Sequence, residues 1–326
     1  VINFTYLVCP LDRDQIKIQT FFVVSSKSSV IENMKCYQCG NEDKRYFAYD
    51  KGVYYCRKCV AFGRMDAYVR KESCHLSTRV IEVSPQLKYE LTDKQKAISH
   101  KIVEYLKQKK DVFVYAATGA GKTESVFECI CFYLSQGKKV GFAISRRQVV
   151  LEIAQRLRQA FPTLHVVEVT QGYTTITDGD IIVCTMHQLY RYPDGFDLLI
   201  MDEVDAFPYV GNDVLQTITR RACKGQRVLL SATPDEESLQ KIKQKEMEMV
   251  TLFERPHKHP LVVPKVYECN LFFQVLMIIG CCYSWIRQSK QVLVFVPRRQ
   301  DCIWLNTILK LFFRSSMIHS QTKRKR

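Results

Sequence analysis

Apolar and polar positions along the chain settle into a regular rhythm from Leu91 onward: short apolar runs alternate with segments of helical spacing. The runs fall near 112–116, 139–144, 165–169, 180–184, 197–201 and 227–231. Asp111-Val112-Phe113-Val114-Tyr115 and Phe196-Asp197-Leu198-Leu199-Ile200-Met201 are nearly continuous in apolar residues. That suits strands covered on both faces. Between most runs the apolar residues return every three or four positions, as in Val126, Phe127, Ile130 and Leu134. This is the spacing of one helix face. A helix is also predicted over about Lys94–Gln108. Alternating strands and helices of this kind give an α/β fold with a parallel sheet.

Outside that block the pattern changes. Residues 1–35 are mixed, with a Ser-rich linker at Ser25 to Ser29. Residues 36–70 carry a cysteine cluster, and 71–88 form a connector with a proline at Pro85. The αβ block is expected to occupy 89–250. Charged and Pro-rich sequence follows from Glu236 to Pro264, and 251–266, with Arg255-Pro256-His257-Lys258-His259-Pro260 inside it, reads as a linker. A buried helix over about 271–288 and a buried strand at Gln291-Val292-Leu293-Val294-Phe295-Val296 then look like the first unit of a second lobe, 267–326. Leu271 to Ile286 is apolar but holds Gln274 and Ser284, and it is shorter than the roughly 20 residues of a membrane span. The start, Val1 to Pro10, is apolar without a basic leader or a clear cleavage site, so no secretory signal is expected. No internal repeat or long low-complexity stretch is evident.

The chemistry sits at the ends of three of the predicted strands. Ala116-Ala117-Thr118-Gly119-Ala120-Gly121-Lys122-Thr123 lies between a strand and a helix start. Backbone N–H groups and the positive helix end cradle phosphates there. Gly119 and Gly121 allow close backbone approach. Lys122 is placed to reach the β- and γ-phosphates and Thr123 to ligate Mg²⁺. Ala116 stands where such loops usually carry their first glycine. The strand ending at Met201 delivers Asp202-Glu203-Val204-Asp205 to the carboxyl edge, where open α/β sheets bind ligands. Asp202 is expected to hold Mg²⁺, directly or through water, and Glu203 to orient or deprotonate the attacking water. Ser231-Ala232-Thr233 ends a third strand. Its two hydroxyls have little chemistry of their own, and it gains meaning only from following the acidic box. Together the three elements describe an engine that hydrolyses a nucleoside triphosphate. A metabolic P-loop kinase would not explain the acidic box, the Ser-Ala-Thr and the cysteine cluster together.

Cys36-x-x-Cys39 and Cys56-x-x-Cys59 are separated by 16 residues. This is the spacing of a four-cysteine zinc site, in which two short knuckles present thiolates to one tetrahedral ion. Between them Tyr46-Phe47-Ala48-Tyr49 and Val53-Tyr54-Tyr55 read as two strands of a ribbon, turned at Asp50-Lys51-Gly52. So small a module takes much of its stability from the metal. Tyr54, Tyr55, Arg57, Lys58 and Arg64 fit either of two roles, stacking on single-stranded nucleic acid or covering the knuckle. Cys74 and His75 complete no second site.

Length and charge bear on the partner. The chain has 326 residues, room for about two domains, and 47% hydrophobic content supports a sizeable core. A net charge of +15 favours a polyanionic partner through counterion release. Part of it sits in Lys323-Arg324-Lys325-Arg326, which reads as a frayed end. With 14 cysteines in a chain that reads as an intracellular ATPase, free thiols and metal ligation are expected rather than disulfides.

The ordered motifs resemble superfamily 2 helicases. Leu91-Thr92-Asp93-Lys94-Gln95 is similar to that family's adenine-sensing segment, which implies that Gln95 contacts the base. The P-loop, Asp-Glu-Val-Asp and Ser-Ala-Thr resemble its first RecA-like motor lobe. By the same resemblance, Ser145-Arg146-Arg147 and Cys184-Thr185-Met186-His187 lie where the lobe touches the strand's phosphates, and Ser231, Ala232 and Thr233 couple the ATP site to them. Phe295-Val296-Pro297-Arg298-Arg299 and His319-Ser320-Gln321 resemble the opening motifs of a second RecA-like lobe. The family's later motifs, including an arginine that completes the ATP site, have no counterpart, so weak hydrolysis by this chain alone is expected. A four-cysteine module before the motor, with Asp202-Glu203-Val204-Asp205-Ala206-Phe207-Pro208, resembles the ComFA family of late-competence ATPases of Gram-positive bacteria.

That resemblance implies an ATP-dependent single-stranded DNA translocase with ATP, Mg²⁺ and Zn²⁺ as cofactors. It implies other competence or DNA-uptake proteins as partners at the membrane, and a cytoplasmic location at the membrane's inner face without a lipid anchor of its own. Two alternatives stay open. One is a replication-restart or repair helicase, whose zinc ligands would be expected after the first motor motifs. The other is a zinc-ribbon DNA-binding scaffold whose lobe acts as a nucleotide switch.

Overall fold

The computed structural model describes residues 35–50, 52–62, 67, 73–171, 176–256 and 265–316. The Ser-rich segment 25–29, the His319-Ser320-Gln321 motif and the basic end 323–326 lie outside the described residues. Two compact units are present, Val1–His259 and Pro260–Arg326.

The first unit opens with a two-stranded antiparallel ribbon, β1 (Phe47–Asp50) and β2 (Val53–Cys56). Then follow α1 (Asp93–Lys107), β3 (Asp111–Ala116), α2 (Phe127–Leu134), β4 (Val140–Ile144), α3 (Arg147–Ala160), β5 (Val166–Val169), β6 (Ile181–Thr185) and β7 (Phe196–Asp202). The unit closes with α4 (Asp213–Ala222), β8 (Cys223–Ser231), α5 (Glu236–Lys243) and β9 (Met247–Leu252). Strands β3–β9 form one seven-stranded sheet in the order β5-β6-β4-β7-β8-β3-β9, and every ladder in it is parallel. Each sequence-predicted strand of the αβ block is present.

Covering helices decide which strand positions are buried. Along β3, Val112, Val114 and Ala116 join Ile102 of α1, Ile130 of α2 and Ile153 and Leu157 of α3 in one core. Phe113, pointing the other way, joins Ile182, Leu199, Met247 and, from α4, Leu215 and Ile218 in a second core. Period-two alternation of this kind, apolar on both faces, is what a strand between two helix layers requires. Arg227 of β8 ties the start of β3, its Nε and Nη2 donating to Asp111 Oδ2 at 2.9 and 2.5 Å. Helix α1 begins on a capping box: Gln95 N donates to Thr92 Oγ1 at 3.3 Å and Thr92 N to Gln95 Oε1 at 2.9 Å.

Three departures from the sequence reading follow from tertiary context. The charged stretch after Glu236, for which the sequence reading names no element, forms α5 and β9, and β9 pairs with β3 along its whole length. Its pattern, MEMVTL, carries Glu248 and Thr251 among four apolar residues and is only half buried, because an edge strand is covered unevenly. The connector before α1 is pinned to the lobe. Ile81 N donates to Leu134 O and Gln86 N to Ala160 O, while Arg79 donates twice to Asp180. In the second unit, α6 (Leu271–Arg287) and α7 (Arg299–Leu309) are the described helices. Helix α6 was expected to be buried, but Leu271, Phe272, Phe273 and Leu276 are exposed. The run 291–296 was expected to be a buried strand, but it joins no ladder, and Leu293 and Phe295 are exposed. A strand exists only with a pairing neighbour, and among the described residues of this unit there is none.

Lys139 gives a test of the first unit's packing. Its side chain is 2% exposed, and Nζ donates to Asp178 Oδ1 at 2.9 Å and to the Gly179 carbonyl at 2.6 Å. Asp178 also accepts from Ser77 N and Oγ, at 2.8 and 2.6 Å, holding the connector. Burial opposes its ionisation, but these donors hold the carboxyl down to about 2. Removing one partner of a buried pair leaves an uncompensated charge. Asp178→Ala is expected to cost about 2–3 kcal/mol, at the low end because the carboxylate is itself a third exposed. Urea unfolding followed by circular dichroism checks it, and an unchanged midpoint would contradict it.

Candidate active site and metal centre

The sheet order brings three motifs side by side. Strands β7, β8 and β3 are consecutive neighbours, with Asp202 opposite Leu230 and Tyr115 opposite Ser231. Their carboxyl ends therefore deliver the acidic box, Ser231-Ala232-Thr233 and the P-loop to one edge.

In the P-loop, Gly119 and Gly121 adopt φ of +78° and +83°, backbone that side chains with a Cβ rarely enter. A Cβ on Gly121 would also lie 2.2 Å from Gln95 Nε2. Gln95 is buried against the loop and its Nε2 donates to the Ala120 carbonyl at 2.9 Å. The glutamine read from sequence as a base contact thus also fixes the loop. Ala116, Ala117 and Thr118 lead out of β3, and Ala117 N donates to Leu252 O at 2.9 Å. Beyond Lys122 and Thr123, the first turn of the expected helix is a 3₁₀ turn, Glu124–Val126, and α2 begins only at Phe127. Ser125 Oγ donates to Lys122 O at 2.8 Å and tightens that turn.

At the end of β7, burial pushes the Asp202 carboxyl up, while the Glu203 N–H and the Lys122 charge pull it down. The N–H bond is 2.8 Å. A hard dication would favour the charged form, and the oxygen donors of Asp202 and Thr123 suit Mg²⁺. Glu203 has φ +56°, a strained value for a residue with a side chain. Its Oε2 is buried without a hydrogen bond and lies 3.5 Å from Arg146 Nε. Ser145 Oγ donates to the Glu203 carbonyl at 3.5 Å. So Ser145 and Arg146, read from sequence as strand contacts, sit against the acidic box. Thr233 Oγ1 donates to the Asp205 carboxylate, and Ser231 Oγ both donates to Thr233 O and accepts from Thr233 N, at 2.8 and 3.0 Å. The Ser-Ala-Thr turn, Ala232 at its middle, is therefore a brace for the acidic box.

Arg147 opens α3, and Thr185 closes β6. His187 lies in the turn after β6, with burial lowering its pKa, and its ring stacks on Phe62 at 5.8 Å between centroids. Phe62 belongs to the cysteine module and enters the lobe's second core. Arg298 and Arg299 stand at the start of α7 in the second unit, Arg298 pairing with Asp301 at 3.7 Å. Sequence reading missed Phe62 and also Arg255, whose Nε donates to Thr118 O at 2.9 Å. Only the bare presence of an aromatic and an arginine could have pointed to them.

The four cysteines converge. The sulfurs of Cys36, Cys39, Cys56 and Cys59 lie within 4.8 Å of one another, and all four residues are buried. Cys36–Cys59 and Cys39–Cys56 are each 3.8 Å, sulfur to sulfur. That is far beyond a disulfide bond. It equals the edge of a tetrahedron with zinc–sulfur bonds of about 2.3 Å, which gives about 3.8 Å. The donor set fits zinc. Hydrogen bonds from Cys39 and Cys59 hold the Cys36 thiol low, and the same contacts push Cys39 and Cys59 up. Gly40, at φ +71°, closes the first knuckle, with its N–H donating to Cys36 O at 2.7 Å. Phe47 packs on the sulfur cluster, while Tyr54 packs against Tyr49 with the rings tilted by 52° and 4.7 Å between centroids.

Among known proteins, the DEAD/DEAH box helicase family matches residues 93–242. Competence protein ComFA of Bacillus subtilis (strain 168) is 32% identical over 298 residues, 84% of this chain and 63% of that protein. Competence protein ComFA of Streptococcus pneumoniae (strain ATCC BAA-255 / R6) is 33% identical over 240 residues, 71% of this chain and 54% of that protein. The chain therefore spans less than two thirds of the length of either relative. Among solved structures, the DEAD-box helicase Mss116 bound to ssRNA and UDP-BeF superposes with a TM-score of 0.51 at 18% identity, covering 69% of this chain and 54% of that one. That likeness shows the RecA-like fold. With its P-loop, acidic box and preceding four-cysteine cluster, the chain is ComFA-like and carries a DEAD/DEAH box helicase domain.

Proposed function

We propose that this chain is the ATP-binding part of a single-stranded DNA translocase that serves DNA uptake during competence. The observation that carries the reading is the alignment of the P-loop, Asp202-Glu203 and Ser231-Ala232-Thr233 on the adjacent ends of β3, β7 and β8. The loop's N–H groups and Lys122 bind the triphosphate. Asp202 and Thr123 would hold Mg²⁺, which would supply charge neutralisation at the phosphates. Glu203 orients the attacking water and accepts its proton at the carboxylate. Asp205 and Thr233 pass a shift in the acidic box to β8, and Ser145 with Arg146 pass it to the α3 side, where Arg147, Thr185 and His187 meet the strand's phosphates. A net charge of +15 favours that partner. We place Arg298 and Arg299 in a second lobe, and zinc in the four-cysteine module. Partners at the membrane are part of the proposal by relation to the ComFA proteins. Among the described residues no helix is long and apolar enough to cross a membrane.

The test is ATP turnover with and without single-stranded DNA, on this chain and on one extended to the length of its relatives. Stimulation by DNA is expected in the longer chain. Glu203→Gln should lower turnover by at least about 100-fold while leaving nucleotide binding within about threefold, because it removes the base and not the phosphate contacts. Zinc and DNA binding with no nucleotide turnover in either chain would favour a scaffold with a nucleotide switch.

A further inference from the structure

The end of β9 is laced onto the nucleotide loop. Leu252 O accepts from Ala117 N at 2.9 Å. Phe253 meets Tyr115 edge-on at 4.8 Å. Glu254 pairs with Lys94, the neighbour of Gln95. Arg255 Nε donates to the Thr118 carbonyl at 2.9 Å. Its guanidinium also stands 3.5 Å, at both Nε and Nη2, from where a Cβ on Gly119 would be. Thr118 and Gly119 are the middle of the eight-residue loop. Four successive residues thus track the loop and the helix that carries Gln95.

We propose that Arg255 is a second phosphate-binding cation of the ATP site, supplied by the first lobe itself and directed at the terminal phosphate. This rests on the reading of the loop as an ATP site. An arginine carries five N–H donors in a planar fork. One holds Thr118 O, which fixes the plane of the group, and Nη2, with no hydrogen-bond partner among the described residues, lies on the side of Gly119. A planar fork beside a phosphate-binding loop matches phosphate geometry better than a point charge does. Lys122 lies at the helix end of the loop and Arg255 at its middle, so the two cations approach a bound triphosphate from different directions. Gly119 has no side chain, and a Cβ there would only touch the guanidinium at ordinary van der Waals distance. Arg255 is also four residues before the end of the first unit. An arginine drawn toward the terminal phosphate would pull on the segment that leaves the lobe.

Equilibrium binding of fluorescent ATP and ADP analogues to the whole chain tests the inference. Arg255→Ala is expected to weaken ATP binding by about 5- to 20-fold and ADP binding by less than about twofold. Arg255→Lys should restore part of the ATP affinity, because the charge remains although the fork is lost. Equal losses for ATP and ADP would overturn the assignment, since they would mark a role in shaping the loop alone. Unchanged affinities for both would overturn it as well. Lys122→Ala measured alongside keeps the two readings apart. If the wild-type chain binds neither nucleotide, the ATP-site reading fails; if it binds both and Lys122→Ala does not, only the role of Arg255 is at issue.

Discussion

Lys122→Ala is expected to abolish nucleotide turnover, lowering it by at least about 1,000-fold, and to weaken ATP binding by at least about 30-fold. Phosphoryl transfer leaves little covalent work for the protein, so catalysis rests on positioning and on neutralising charge at the phosphates. A single preorganised donor at such a site is worth about 3–4 kcal/mol, or 10²–10³ in rate. Lys122 does more than one such donor, because its charge also favours the ionised form of Asp202, which burial pushes the other way. Loss of the ammonium therefore weakens both the phosphate contact and the Mg²⁺ ligand. The fold should survive. The Lys122 backbone carbonyl accepts from Ser125 Oγ, and that bond does not need the side chain. Turnover assays, paired with a thermal melt showing an unchanged midpoint, check the prediction. Retained turnover would remove the loop from the mechanism.

Removing zinc is expected to have the second large effect. A four-cysteine module with two four-residue strands buries little besides its own sulfurs, Ala67 and Phe47. Structural zinc supplies about 10–16 kcal/mol of apparent binding energy in comparable small modules. A strong chelator, or Cys56→Ser with Cys59→Ser, should unfold residues 36–62. The αβ lobe should stay folded, since its two cores are built from the sheet and its helices. The effect should still reach the lobe at one place. Phe62 leaves the second core and His187 loses its stacking partner. Single-stranded DNA binding should fall more than ATP binding does. Metal analysis giving one zinc per chain, hydrogen exchange across 36–62, and the two binding assays decide this. A module that stays protected after chelation would refute the zinc assignment.

The ATP site was largely legible in the sequence because each of its parts is local. A P-loop is eight consecutive residues whose backbone does the binding, and a strand end carries its next two residues wherever the strand goes. The cysteines were legible for a similar reason: two knuckles of fixed spacing can close on one ion without help from the rest of the fold. Strand β9 was not legible. Its mixed pattern carries no period strong enough to separate it from a charged loop, and only pairing with β3 makes it a strand. The apolar run 291–296 shows the converse. Its composition favours a strand, but no ladder forms among the described residues.

The contacts of single side chains show where sequence reasoning stops. Arg146 reads as a strand contact, yet it lies beside Glu203, because β4 and β7 are neighbours in register, with Ile144 opposite Asp202. Gln95 reads as a base contact, yet its amide also holds Ala120, because the capping box at Thr92 turns it toward the loop. By itself the sequence determined the strand and helix alternation, the candidate phosphate loop and acidic pair, and the spacing of the four clustered cysteines, since each depends on residues close together in the chain. Tertiary structure alone decided that β7, β8 and β3 stand side by side, that Phe62 joins the metal module to the lobe, and that Arg255 reaches the phosphate loop. These depend on which distant strand ends meet, and strand order follows from crossover packing and edge pairing that no local pattern encodes.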